Sequence, residues 1–312
     1  MAAVRRLFRV SAWLFAIIVT LGPFTLQNSL AGEPLVVYVV NYPLKYFAER
    51  IAGEHARVVF PAPKDEDPAF WRPDIEAIAA YQQADIIRRI LRRLPPINRP
   101  ILSFLTVQTM QNGYEKCLCH DPEWWIPPPV SKINLSGPVG SSHTPTVLRV
   151  NTWLDLSLAA KQAKAVADAL GRKRPDLRTT FQRNYIALEK DLMALDRDLK
   201  QVVAKDPTKP LIGSHPVYDY LARRYRMNMK SVHWEPDELP DAAKWSELRA
   251  IMKRHPAQWM IWEGEPLKET RERLEAVGIH SLVFDPCGNT PAKGDFMLIM
   301  RQNVKNLKRA FH

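Results

Sequence analysis

The stretch Leu211-Ile-Gly-Ser-His-Pro-Val-Tyr-Asp-Tyr-Leu-Ala-Arg-Arg-Tyr225 decides how the chain folds. It runs a short apolar segment into a histidine and a proline, then into residues with helical spacing. A strand over 211–213 that hands over to a helix over 217–226 is half of a βα unit. The alternation continues downstream, with strands expected near 229–232, 258–262 and 281–284. Helices are expected between and after them, over 241–255, 267–277 and 296–311. Strands that alternate with helices in this way build a parallel sheet.

Upstream, Leu35-Val-Val-Tyr-Val-Val40 is a β-branched run, 44–52 has helical spacing, and 56–61 reads as a second strand. Asp74 opens an amphipathic helix that runs to Asp85, its carboxylate near the exposed amides of the first turn. Between the two alternating regions, Phe181, Tyr185, Leu188, Leu192, Leu195 and Leu199 recur at steps of four and three. That stripe marks one long helix over 176–205, stopped by Asp206-Pro-Thr-Lys-Pro210. The fold class is α/β: two lobes, each with a mainly parallel sheet flanked by helices, joined by one long backbone helix. The lobes are expected over 32–175 and 206–312, with the linking helix over 176–205.

Two segments break the pattern. Arg5, Arg6 and Arg9 precede an uncharged run from Val10 to Leu26, and Ser29-Leu30-Ala31 supplies small residues for cleavage. Residues 1–31 therefore read as a cleaved signal peptide that exports the protein. A membrane anchor is the rival reading, weakened by Gly22, Pro23 and the polar pair Gln27-Asn28. Cleavage after Ala31 would remove three arginines and lower the formal charge from +11 to +8. A basic balance alone can point to nucleic acid, but no nucleic-acid-reading motif accompanies it, and a solvated basic surface is the better account.

The second segment, 88–150, carries Arg88-Arg89, Arg92-Arg93, Pro95-Pro96 and Pro127-Pro-Pro129, which interrupt every periodic run. It reads either as a divergent insertion or as the product of two compensating frameshifts. Within it, Cys117-Leu-Cys119-His120 groups soft ligands, with no partner pair at structural-zinc spacing. In an exported chain Cys117, Cys119 and Cys287 could instead form disulfides.

In open α/β sheets ligands bind beyond the carboxyl ends of the strands. Reading each C-terminal strand to its end yields His215, Glu263 and Asp285. Imidazole and carboxylates together suit zinc or manganese. Pro216 fits the first turn of a helix, which would hold His215 at a helix start. Each residue also has a plainer reading: His215 as a capping group, Glu263 as a solvated turn carboxylate, Asp285-Pro286 as a turn.

The chain resembles the zinc- and manganese-binding receptors of bacterial ABC importers. The likeness rests on 35–59, Pro61-Ala-Pro63, Asp67-Pro68, Pro73-Asp74 and Ala84-Asp85 in the first half. It continues through Trp153-Leu-Asp155, the long-helix stripe, Ser214-His215 to Tyr225, Glu235-Pro236 and Phe284-Asp285-Pro-Cys-Gly288. The resemblance implies that His215 and Asp285 ligate a divalent metal ion in the periplasm, and that an ABC permease in the inner membrane receives it. It also implies a monomer and a binding protein, not an enzyme. Two histidines common in these receptors are replaced, by Ala69 after Asp67-Pro68 and by Asn151 before Trp153. Glu263, His233, Glu235 and Asn151 are the further candidate donors. Two alternatives remain: a receptor for another solute or a metal complex, favoured by the aromatics Phe70, Trp71, Tyr218, Tyr220, Trp234 and Trp262, or a metallohydrolase.

Overall fold

A computed structural model describes residues 34–68, 71, 73–86 and 151–311. The expected signal peptide, the 88–150 segment with Cys117, Cys119 and His120, and the positions Ala69 and Phe70 lie outside the described residues.

In the N-terminal half, strand β1 (Leu35–Tyr38) pairs in parallel with β2 (Ala56–Val59) through helix α1 (Tyr42–Ala52). Helix α2 (Ile75–Gln83) follows, and its Asp74 cap accepts from the Ala77 amide at 2.7 Å. Asn41 caps α1 in the same way, accepting from Leu44 at 3.0 Å. These side-chain oxygens take up amides that the first turn of a helix leaves without partners. Helix α3 (Leu156–Lys173) and the long α4 (Arg178–Val203) complete this half. The six apolar positions of the long-helix stripe are all buried. At 1.5 Å per residue, α4 spans about 39 Å, which suits a strut between lobes.

The C-terminal half contains β3 (Pro210–Gly213), α5 (Asp219–Tyr225), β4 (Asn228–Ser231), α6 (Ala242–Met252) and β5 (Trp259–Trp262). It ends with α7 (Lys268–Ala276), β6 (His280–Val283) and α8 (Phe296–Lys308). The four strands are parallel, in the order β4-β3-β5-β6. After β3 the chain steps outward to β4, then crosses back to place β5 on the other side of β3. The order therefore reverses between β3 and β5. That switch point opens a crevice at the carboxyl ends of the two strands.

One continuous apolar core runs from Leu35 through α1, α3 and α4 to Phe311, so the two halves share buried surface along the strut. A second core, built around Trp234, Trp245 and Trp262, covers the opposite face of the C-terminal sheet. The strut is also tied by charge. Asp196 on α4 receives Arg224 Nε and Nη2, each at 3.0 Å, and the Tyr225 hydroxyl at 3.0 Å. Arg224 and Tyr225 close α5, the helix that follows the His215 turn.

Two expectations need correction. Helix α5 starts at Asp219, so Pro216 belongs to a turn and not to the first helical turn. The cause is Tyr218, whose fully buried ring and hydroxyl bond to Phe284 O (2.9 Å) carry the chain under the strand ends first. The aromatics expected along a ligand cleft are divided. Tyr218, Trp234 and Trp262 are fully buried and belong to the core, while Trp71 and Tyr220 are half-buried.

Candidate metal centre

His215 lies in the turn after β3, and Glu263 directly follows β5. The two therefore flank the switch point. The imidazole is about four-fifths buried, with side-chain exposure of 19%. Its Nδ1 stands 3.8 Å from Glu263 Oε1, and its Nε2 stands 3.5 Å from Glu235 Oε1. The His233 ring meets it edge to face, with centroids 5.2 Å apart. The His215 Nδ1 atom is buried and has no hydrogen-bond partner.

The chain brings His233 and Glu235 here by continuing β4 beyond its regular end. Val232 N donates to Gly213 O at 3.0 Å, and Trp234 N donates to Ser214 O at 2.7 Å. Val232 and Trp234 are fully buried while His233 and Glu235 are exposed, the alternation a strand imposes. His233 and Glu235 thus share one face beside His215.

Asp285 follows β6, and its loop is held by the N-terminal half. Trp153 Nε1 donates to Pro286 O at 2.7 Å, and Tyr42 N donates to Gly288 O at 3.0 Å. Asn303 on α8 bonds the Asp285 backbone on both sides, accepting from N at 3.0 Å and donating to O at 2.7 Å. One carboxylate oxygen, Oδ1, accepts from Cys287 N at 2.7 Å. Cys287 itself is a buried free thiol with φ of 57°. From the other half, the charge of Asp67 acts on His215 and Glu263. Asn289 Nδ2 fastens the segment before Asp67 by donating to Pro63 O at 2.6 Å and Glu66 O at 2.7 Å.

The electrostatics fit a cation. Burial lowers the His215 pKa, and the charges of Glu235 and Asp67 oppose this only in part, so the imidazole is neutral and has a lone pair to give at neutral pH. Burial pushes Glu263 up to about 8, helped by Glu235, Asp67 and Asp285. Burial also raises Asp285. Carboxylates crowded in this way are waiting for positive charge. Among the described residues, no three His, Cys, Asp or Glu side chains already converge as ligands on one point. The donors stand close together, and rotation of exposed side chains is needed to join them.

Of the residues expected from the sequence, His215, Glu263, Glu235 and His233 are neighbours, and the charge of Asp285 acts on Glu263. Asn151 is buried at the start of a short 3-10 helix, Thr152–Leu154, and shares no hydrogen bond with this cluster among the described residues. The clamp from Asn289 and the nearness of Asp67 to His215 went unread in the sequence. Asn289 offered only its place after Phe284-Asp285-Pro-Cys-Gly288.

A two-lobed α/β protein with an imidazole and carboxylates at the switch point has the architecture of a solute-binding receptor. Residues 37–310 match the profile of the family described as zinc-uptake complex component A periplasmic, ZnuA, and the chain belongs to that family. The zinc-binding lipoprotein AdcA of Streptococcus pneumoniae is 23% identical over 289 residues, 89% of this chain and 56% of that protein. The chain thus spans little more than half the length of that relative. The high-affinity zinc uptake system protein ZnuA of Bacillus subtilis is 22% identical, with 96% of this chain and 95% of that protein covered. The crystal structure of the Zn(II)-bound ZnuA-like domain of the pneumococcal AdcA matches with a TM-score of 0.67 at 19% identity. That match covers 89% of this chain and 99% of that domain, and it establishes the shared fold.

Proposed function

We propose that this protein is an exported receptor that captures zinc in the crevice between its lobes and delivers it to an ABC-type permease. Among divalent metals, zinc is favoured over manganese by the family and by the relatives named above. The observation that carries the reading is His215: a mostly buried imidazole at the switch point, with carboxylates facing both ring nitrogens. His215 supplies the nitrogen donor, and Asp285 supplies an acidic oxygen by its correspondence to the family's aspartate. The continuous core along α4 limits the lobes to small hinge motions, which suits a receptor that must present itself to a permease in a defined shape. The reading assigns the chain a binding role in the periplasm, not a catalytic one. The burial of Tyr218, Trp234 and Trp262 removes three of the six aromatics on which a larger solute would rest.

The test is a thermal melt of the protein without its first 31 residues, with and without zinc. Zinc at a hundredfold excess over Kd should add about 2.7 kcal/mol, a rise of roughly 5–10 °C for a chain of this size. His215→Ala should abolish the rise. An equal rise in that variant would refute the assignment of His215.

A further inference from the structure

His215 presents two nitrogens to two different carboxylates, and one imidazole cannot place both nitrogens on one ion. The two sides differ in what they offer. On the Nδ1 side, Glu263 stands at 3.8 Å beside a buried nitrogen that lacks a partner. Beside Nε2 stands Glu235 at 3.5 Å, and the His233 ring meets the imidazole edge to face with centroids 5.2 Å apart.

The Nε2–Glu235 distance and the spacing of the two rings are close to those of neighbouring ligands. With zinc–nitrogen and zinc–oxygen bonds of about 2.0–2.1 Å in a tetrahedron, donor atoms lie about 3.3 Å apart. In the same geometry the centroids of two coordinating imidazoles lie about 5.2 Å apart. The Nδ1 side matches the other half of a familiar arrangement. A histidine that binds metal through one nitrogen commonly donates its other N–H to a carboxylate, which fixes the ring and its tautomer. A 1 Å approach by Glu263 would give Nδ1 such a partner (a hydrogen bond of about 2.8 Å).

We propose that the cargo ion sits on the Nε2 side of His215, where His233 and Glu235 join it as donors, and that Glu263 is a positioning residue behind the ring. The proposal rests on the zinc-receptor reading. It deepens that reading by adding two donors to His215 and by removing Glu263 from the ligand set. His233 and Glu235 thus supply a nitrogen and an oxygen donor from the C-terminal half alone. The rungs from Val232 to Gly213 and from Trp234 to Ser214 fix both donors against the residue preceding His215. Since His233 and Glu235 are exposed, their side chains can turn onto the ion without disturbing the core.

The experiment combines zinc X-ray absorption with competition against a chromophoric chelator, using zinc alone as the probe and the chain without residues 1–31. The wild type should show two imidazoles on zinc. His233→Ala should show one and lose at least about 100-fold in affinity. Glu235→Gln should keep both imidazoles, lose an oxygen donor and weaken binding comparably. Glu263→Gln, which keeps a hydrogen-bond acceptor, should leave the coordination spectrum unchanged and cost about 10–100-fold, with Glu263→Ala costing more. Apo melting of the His233 and Glu235 variants should match wild type, which separates ligand loss from misfolding. An unchanged imidazole count in His233→Ala, or loss of an oxygen donor in Glu263→Gln but not in Glu235→Gln, overturns this division of roles and leaves the receptor reading standing. Absence of zinc binding by the wild type overturns both.

Discussion

Replacing Asp196 with asparagine should destabilise the protein far more than a surface change would. Asp196 is 3% exposed and gathers four donors: Arg224 twice, Tyr225 and, at 2.7 Å, Lys200. Asparagine would turn an N–H₂ group toward a guanidinium that has only donors to offer. Breaking a buried pair by removing one partner typically costs about 3–5 kcal/mol. Side-chain exposure of 26% for Arg224 and 50% for Lys200 lets water recover part of this, so about 3 kcal/mol is expected. Urea unfolding should register that as a midpoint lowered by about 1 M. The pH dependence gives an independent check. Burial alone would raise the Asp196 pKa, but bonds from Arg224 and Lys200 outweigh it and hold the group below the usual carboxylate range. Its stabilisation is therefore complete above the ordinary carboxylate pKa and is lost as pH falls through the lower folded value. Wild type should lose stability over that acidic range, and the asparagine variant should lose less. A cost below about 1 kcal/mol at neutral pH, or parallel acid profiles, would refute the claim that this network ties α5 to the strut.

Other perturbations reach the core and the site. Leu188→Ala, at a fully buried position of the long helix, should cost about 2–5 kcal/mol in the same urea assay. Gly213→Ala would press a methyl group to 3.0 Å from Ser231 Oγ and 3.2 Å from His215 O. It should cost about 1–3 kcal/mol and weaken zinc binding several-fold by moving the His215 turn, as calorimetric titration would show. Burial holds Glu263 near 8, above its unfolded value, so the metal-free protein should lose stability as pH rises from about 4.5 to 8. Zinc, by favouring the charged carboxylate, should release a proton below pH 8. Titrations in buffers of different ionisation enthalpy would detect that release.

Much of this fold was legible because period and capping agreed along the chain. The long-helix stripe and the Asp74 cap each lie where the spacing put them. His215, Glu263 and Asp285 were readable because strand ends can be located from the apolar runs that precede them. The face of a residue is harder to read. Tyr218, Trp234 and Trp262 carry the same chemistry in a core as in a cleft, and only the packing of two layers on the C-terminal sheet decided for the core. The start of α5 was misjudged for a related reason: a buried Tyr218 hydroxyl on Phe284 O is a contact across 66 positions that no local pattern encodes. The sequence also cannot say which nitrogen of His215 faces which carboxylate, since that depends on the extra rungs joining 232–234 to 213–214.

The most direct test is anomalous diffraction at the zinc absorption edge from crystals of the zinc-loaded protein. The account predicts one strong peak in the crevice, about 2.0–2.1 Å from Nε2 of His215. A peak remote from His215, or none in the crevice, would contradict it.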